Sequence, residues 1–290
     1  MRIIMVPVAD RPECGIALDS AFALAERLQA NIQACHFRPH RYSRVALPAE
    51  ASYMLPRETL PELSAADRKS AAAASRAARA LVEKLALARG FTMKKAFNGR
   101  SLRELVWKEE VGHVGNLMPV IGPFADLIVV TRPRKASSRV ARLFLEEALL
   151  GSGRPVLVLP PQRRVPVGSR VVIGWDQTRN AMRAVVAALP ILKTAESVSI
   201  VTSGLGKPHG AKAGALVKYL KAWGIKAPVT RIPSARANEV ADIDAELKER
   251  RADLLVIGSY SRSRFRERLF GGVTRHYLYD STASVLTMHA

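Results

Sequence analysis

The sequence has little cysteine. Its two cysteines, Cys14 and Cys35, are not spaced as a CxxC pair, which excludes a disulfide framework and favours a reducing compartment. No run of about 18 apolar residues, the length that a membrane-spanning helix requires, occurs in the chain. The opening segment MRIIMVPVADRPE has too short an apolar run and too early a charge for a signal peptide. We therefore expect a cytoplasmic protein without a membrane span.

Acidic side chains are scarce relative to basic ones. Lys and Arg number 45 against 25 Asp and Glu, which gives a formal net charge of +20. The excess is spread over both halves of the chain and is not confined to a tail. A field of this sign attracts anionic partners, whether nucleotides, nucleic acid or an acidic membrane surface, but it does not select among them.

The common catalytic motifs are absent. The sequence contains neither a GxSxG elbow nor a GxxxxGK[ST] loop, which argues against a serine hydrolase and a Walker-type ATPase. Its six histidines are scattered, without a spacing typical of metal ligands. We therefore predict no catalytic residue and no metal ligand, and we interpret the chain as a binding protein in which any catalytic turnover is slow.

Several segments occur twice, in the same order, in the two halves of the chain. The pairs are IIMVPVAD (3–10) with VVIGWDQT (171–178), ALVEKLALARG (80–90) with ALVKYLKAWG (215–224), ADLIVV (125–130) with ADLLVI (252–257), and RPVLVLP (154–160) with ASVLTMH (283–289). Between the halves, residues 159–170 are rich in Pro and Arg and are typical of a linker. The repeat predicts two domains, residues 1–160 and 168–290.

Short apolar runs alternate with helical patterns in each half. In the second half we predict strands at 170–175, 197–203, 227–232, 253–258 and 284–289, and helices at 179–192, 209–223, 236–250 and 271–279. The continuous apolar run ADLLVI is typical of a strand covered on both faces. The alternation predicts an α/β fold of two tandem, doubly wound, mostly parallel five-stranded sheets.

One loop carries the pattern of a phosphate site. Ligands of open α/β sheets lie outside the carboxyl ends of the strands, and the run ending at Ile257 is followed there by glycines, hydroxyl groups and arginines. A helix that opens at a glycine pair offers unpaired N–H groups to phosphate. The candidates are Gly258, Ser259, Ser261, Arg262, Ser263, Gly271, Gly272, Val273 and Thr274. The spacing alone leaves the alternative open that the glycines shape turns and the arginines form a solvated surface.

These residues resemble those of the universal stress protein family. Gly258, Ser261 and Gly271 follow the G-x2-G-x9-G-[S/T] spacing of that family, and ADLLVIGSYSRSR is similar to the end of its domain. VVIGWDQTRNAMRAV (171–185) is similar to its first strand and turn. The resemblance covers nearly the whole chain and implies tandem domains of the adenine nucleotide alpha hydrolase-like fold, with the final strands 155–160 and 284–289 paired about a pseudo-two-fold axis.

The resemblance also implies a ligand and roles for individual residues. In the ATP-binding branch of the family the first turn contacts the nucleoside, which would make Asp176 the acidic contact, with Gly174 and Trp175 beside it. Val201 and Thr202 would lie near the adenine. The glycine loop would hold the phosphates of ATP, with Mg²⁺ as an accompanying ion. A stress-response protein of this kind would signal to an unidentified protein partner, and the internal pairing leaves further homo-oligomerisation open.

The sequence departs from the family pattern in both halves. Ser261 stands in place of the second glycine, and Gly272 replaces the usual Ser or Thr. In the first half the same spacing, counted from Thr131, contains no glycine, and Ala9 stands at the acidic position of the first turn. We therefore predict a nucleotide site in the second half only.

Two alternatives use the same residues differently. The arginine-rich run RSRFRER (262–268) could belong to a non-catalytic protein that binds nucleic acid or another polyanion through its basic surface. In the other alternative the nucleotide site has decayed and the chain is a scaffold. Salt dependence separates the first alternative from a nucleotide pocket, because binding through many phosphate contacts weakens steeply with salt.

Overall fold

The computed structural model describes residues 1–9, 12–38, 65–133, 139–161, 167–203, 210–232, 239–259 and 272–289. The chain forms two compact units, Met1–Arg154 and Pro155–Ala290. The boundary lies before the predicted linker, so the segment after Arg154 belongs to the second unit. Within the described residues no helix combines the length and apolarity needed to cross a membrane.

The first unit is a parallel sheet with its helices. Its strands are β1 (Ile3–Val8), β2 (Asn31–Arg38), β3 (Thr92–Lys94), β4 (Glu104–Val111) and β5 (Leu127–Thr131), and its helices are α1 (Pro12–Leu28), α2 (Ala65–Ala88), α3 (Val114–Ile121) and α4 (Arg139–Gly151). The strand order is β3-β4-β2-β1-β5. The pairings of β1 with β2 and β5, and of β4 with β2 and β3, are all parallel.

The second unit repeats this plan with one added antiparallel strand. Its strands are β6 (Val156–Leu159), β7 (Arg170–Gly174), β8 (Ser197–Ser203), β9 (Val229–Ile232), β10 (Leu254–Gly258) and β11 (Val285–Met288), and its helices are α5 (Arg179–Leu192), α6 (Ala213–Ala222), α7 (Glu239–Glu249) and α8 (Gly272–Tyr279). The order is β6-β11-β10-β7-β8-β9. The predicted α/β fold of mostly parallel sheets is confirmed.

The predicted pairing of the final strands of the two halves is also confirmed. β6 runs antiparallel to β11, with Val158 opposite Val285 and Val156 opposite Thr287. This pairing gives both strands a hydrogen-bonded neighbour and removes two edges that would otherwise invite association. It also explains why β6, which the sequence repeat assigns to the first domain, lies in the second compact unit.

The aspartate of each repeated ADL tripeptide makes the same kind of hydrogen bond in both units. The Asp126 carboxylate accepts hydrogen bonds from the backbone nitrogens of Arg2 and Ile3, at 2.5 and 3.0 Å. The Asp253 carboxylate accepts them from the nitrogens of residues 168–170, at 2.6 to 3.2 Å. Each aspartate therefore satisfies backbone donors at the start of a central strand, β1 in the first unit and β7 in the second. The leucine that follows lies opposite Ile4 in one unit and Val171 in the other.

Helices cover both faces of the central strand β10. The residues Leu254–Ile257 are all buried. Leu255 and Ile257 pack with Ile243 of α7 and Tyr277 of α8 in one hydrophobic cluster, and α5 also contacts β10. Burial on two faces explains why this strand is a continuous apolar run, as the sequence predicts.

The start of α3 gives the first unit a pH-dependent element. The His113 side chain caps this helix because its Nδ1 accepts a hydrogen bond from the Gly115 nitrogen, at 3.2 Å. Burial lowers the pKa of His113 below its usual value of 6.5. A proton on Nδ1 would abolish the cap, so the folded state holds the neutral ring more strongly than the unfolded chain does.

We therefore expect acid to destabilise the first unit. The stability that the cap contributes is fully present above about pH 6.5, the ordinary histidine pKa, and is lost as the pH falls from there through the lowered pKa of the folded state. The expected loss is about 1 kcal/mol of unfolding free energy, the usual value of a helix cap. Urea unfolding at a series of pH values measures it. His113→Asn, which caps without titrating, should flatten that part of the profile, and an unchanged pH dependence in this variant would contradict the assignment.

Candidate functional site

The second sheet has a switch point between β7 and β10. From β7 the chain adds β8 and then β9 on one side, and it returns to add β10 and then β11 on the other. β7 is parallel to both of its neighbours, so the carboxyl ends of β7 and β10 lie side by side. A crevice at such a point is the usual ligand site of an open α/β sheet. The two loops that the sequence singles out begin here, after Gly174 and after Gly258.

The turn after β7 is held by its own side chains. Asp176 Oδ1 accepts hydrogen bonds from the backbone nitrogen of Thr178, at 3.0 Å, and from its hydroxyl, at 2.6 Å. The Thr178 hydroxyl in turn accepts from the Ala181 nitrogen, at 3.1 Å, and so caps α5. Gln177 takes a positive φ of 64° to complete the turn. The Asp176 carboxylate is therefore fixed at the mouth of the crevice, next to the start of α5.

Gly258 lets the end of β10 lie directly against the first turn of α5. A Cβ added at this position would be 2.7 Å from the carbonyl carbon of Asn180 and 2.9 Å from the Cα of Ala181, and closer still to the Ala181 nitrogen. These are backbone atoms, which cannot rotate away. Gly258 thus has a packing reason to be glycine that is independent of any ligand.

Ser259 and Asn180 tie this contact together. Ser259 is completely buried, and its hydroxyl donates to the Met288 carbonyl of β11, at 2.6 Å. The Ser259 carbonyl accepts from Asn180 Nδ2, at 2.7 Å. The hydroxyl that the sequence suggests as a phosphate donor is therefore already engaged with β11. The sequence analysis missed Asn180, since its partner lies 79 residues away.

The residues predicted to lie near the base form a closed layer behind the crevice. Trp175 is only 3% exposed, and its indole nitrogen donates to the Ala211 carbonyl, at 2.9 Å. Thr202 is buried, and its hydroxyl donates to the Trp175 carbonyl, at 2.9 Å. Val201 is buried in the hydrophobic cluster of this unit. The indole of Trp175 is thus packed against the protein and is not an open face on which a base could stack.

The start of α8 supplies the described part of the glycine loop. Gly272 is the first residue of the helix and is exposed, and a Cβ added there would meet no atom of the described residues within 4 Å. Val273 is half-buried and Thr274 is buried. Four other predicted site residues, Ser261, Arg262, Ser263 and Gly271, lie outside the described residues.

The equivalent positions of the first unit hold different side chains. Ile4 pairs with Leu127 of β5 as Val171 pairs with Leu254 of β10, and five residues further along the chain Ala9 is therefore the counterpart of Asp176. Asp10 lies outside the described residues. His36 is the counterpart of Thr202. Its Nδ1 lies 2.8 Å from the Val8 carbonyl, as the Thr202 hydroxyl lies beside the Trp175 carbonyl in the second unit. The His36 ring also stacks on Trp107, with centroids 5.8 Å apart.

Larger groups also follow β5 in the first unit. Thr131 stands where the second unit has Gly258, and Arg132, only 2% exposed, stands where it has Ser259. Cys14 Sγ accepts a hydrogen bond from the Ala9 nitrogen, at 3.3 Å. Burial raises the pKa of Cys35 to about 11, so this thiol stays protonated at neutral pH. The absence of a nucleotide site in this unit stays a prediction, which these buried side chains support.

Comparisons with known proteins agree with this geometry. Residues 181–289 match the model of the universal stress protein family. The solved structure of a universal stress protein from Archaeoglobus fulgidus DSM 4304 is similar over 99% of this chain and 95% of its own, with 14% identity and a TM-score of 0.63. A putative universal stress protein from Pseudomonas aeruginosa UCBPP-PA14 is similar over 99% and 93%, with 13% identity and a TM-score of 0.57. No curated protein matches the sequence. Residues 181–289 are therefore similar to the universal stress protein family, and the chain has the fold of these solved structures along its whole length.

Proposed function

We propose that the second unit binds an adenine nucleotide, ATP, between the carboxyl ends of β7 and β10, and that binding regulates a protein partner in a cytoplasmic stress response. The observation that carries this proposal is the pair of loops at the switch point. Asp176 is fixed by Thr178 beside the first turn of α5, and Gly258 brings the start of the glycine loop against that same turn.

Each part of the crevice would contact a different part of the nucleotide. The Asp176 carboxylate would accept hydrogen bonds from the ribose hydroxyls, which are neutral donors that suit a charged acceptor. The amino end of α8, at Gly272, would face the phosphates with its unpaired N–H groups and partial positive charge. Mg²⁺, when bound, would neutralise phosphate charge.

The geometry favours a nucleotide over a polyanion. A fixed carboxylate at the mouth of the site would repel the backbone of a nucleic acid and would favour a ligand that offers hydroxyl groups there. The arginine run 262–268, which would carry the polyanion alternative, lies outside the described residues.

A calorimetric titration tests the proposal. Mg-ATP, Mg-GTP and a short DNA duplex would be titrated into the full chain at physiological salt and again at higher salt. Saturation by ATP near one site per chain, weaker binding of GTP and a shallow salt dependence are expected. Heat from DNA alone, falling steeply with salt, would replace the nucleotide by a polyanion. No binding of any of the three would indicate a scaffold.

Gly272→Ser should increase the affinity for ATP. Gly272 stands where the family pattern has Ser or Thr, and no atom of the described residues lies within 4 Å of an added Cβ, so the added hydroxyl can donate to a phosphate without displacing any of them. One such hydrogen bond predicts an increase of about 3- to 10-fold. Calorimetry measures it, with Gly272→Ala as the control that adds the carbon without the hydroxyl. Equal affinities in the two variants would place the phosphates elsewhere.

A further inference from the structure

A pocket lies at the opposite, amino edge of the sheet of the second unit. Its volume is about 230 Å³. Its walls are formed by the first residues of β7 and β8, by the segment that precedes β9 and by the segment that follows α7. Its polar lining consists of Arg170, Glu196, Ser197, Ser199, Lys226 and Arg250. The candidate nucleotide site lies beyond the carboxyl ends of β7 and β10, so the length of β7 separates the two sites.

Cations dominate the lining of this pocket. The Glu196 carboxylate lies 3.6 Å from Arg170 Nε, a loose ion pair, and it is 68% exposed. Lys226 is exposed and forms no ion pair with any residue of the described ranges. The nearby carboxylate of Asp253 is turned to the backbone nitrogens of residues 168–170.

Arg250 is held in place but keeps a free donor. Its Nε donates to Glu246 Oε2, at 2.9 Å, and its Nη2 to Thr230 Oγ1, at 2.6 Å. These two bonds fix the plane of the guanidinium between α7 and β9. Its Nη1 has no acceptor among the residues that the structure describes. An oxyanion could accept from this group at little entropic cost, because the side chain is already ordered.

We propose that this pocket binds a compact phosphate-class dianion, either free phosphate or the phosphate group of a small ester. Lys226 and Arg250 would supply the charge, and the hydroxyls of Ser197 and Ser199 would supply neutral donors. The volume is below the range of about 300 to 1,000 Å³ that holds drug-sized ligands, which favours a ligand smaller than a nucleotide. The inference is independent of the proposed ATP site.

The test uses binding of inorganic phosphate to the full chain. The Gly272→Glu background is chosen to suppress phosphate binding at the amino end of α8, and the remaining saturable binding is then compared among variants of the pocket residues. Lys226→Gln should weaken that binding about tenfold, the effect of losing one charge-assisted hydrogen bond. Glu196→Gln should strengthen it severalfold, since it removes the carboxylate that competes for Arg170. Lys218→Gln, an exposed change on α6 outside the pocket, should change nothing.

The proposal predicts opposite changes in phosphate affinity, weaker for Lys226→Gln and stronger for Glu196→Gln. Absence of saturable phosphate binding, or equal affinities in the Lys226 and Lys218 variants, would overturn it. Competition by a hexose monophosphate would show that the pocket accepts an ester, and failure to compete would restrict it to free phosphate. If the wild-type protein does not bind ATP, the results for the pocket still hold, because none of the pocket residues lies at the carboxyl edge of the sheet.

Discussion

Replacing Gly272 with glutamate should weaken ATP binding at least about 100-fold, or about 2.7 kcal/mol, while the fold persists. The position is exposed at the first residue of α8, and a Cβ there would have no neighbour within 4 Å in the part of the chain that the structure describes. A carboxylate at the amino end of a helix stabilises that helix through its dipole. The same charge would face the phosphates of ATP and repel them at short range. The variant should therefore lose its ligand and keep, or slightly raise, its stability.

Calorimetry with Mg-ATP and thermal unfolding of the same sample separate the two effects. Ala222→Glu is the matched control, since it places the same charge at the exposed far end of α6. This control should bind ATP as the wild type does. An equal loss of affinity in both variants would indicate a general effect of net charge, and unchanged affinity in the Gly272 variant would remove α8 from the site.

The strands and helices of the second unit follow closely from the sequence. Apolar runs bounded by glycine or polar turns locate β7, β8, β10 and β11, because burial on two faces requires such runs. The paired ADL segments also mark the aspartates that bind the start of β1 and of β7. Local pattern is sufficient in these cases because each feature depends on a few consecutive residues.

Features that depend on distant contacts were not predictable in this way. The indole of Trp175 donates to a carbonyl 36 residues away, and only this contact shows that its ring is packed. The sequence repeat places β6 in the first domain. In the structure β6 pairs with β11, whose residues are 127 or more positions further along the chain, and β6 therefore belongs to the second unit. The candidate site is similar in kind. Its strand ends are evident from sequence, but the contact of Gly258 with α5 is not.

Gly258 separates a structural role from a ligand-binding role. The family resemblance explains this glycine by the close approach of a phosphate. The structure supplies a second reason, since a Cβ would lie less than 3 Å from backbone atoms of Asn180 and Ala181 in the first turn of α5. The two explanations predict different outcomes for the smallest substitution. If only the phosphate required glycine, the alanine variant would fold normally and lose ATP binding alone.

We expect instead that Gly258→Ala destabilises the second unit by about 3 kcal/mol or more in the absence of any ligand, because overpacking against fixed backbone forces β10 and α5 apart. Urea unfolding of ligand-free protein measures this. Gly272→Ala is the matched control, since its added methyl group meets no atom among the described residues. The methyl group also removes backbone freedom from the unfolded chain, so the stability of this variant should rise by up to about 1 kcal/mol. Equal stabilities in the two variants would show that α5 yields to the new methyl group. In that case α5 would move to accommodate a side chain at position 258, and only the bound nucleotide would require glycine there.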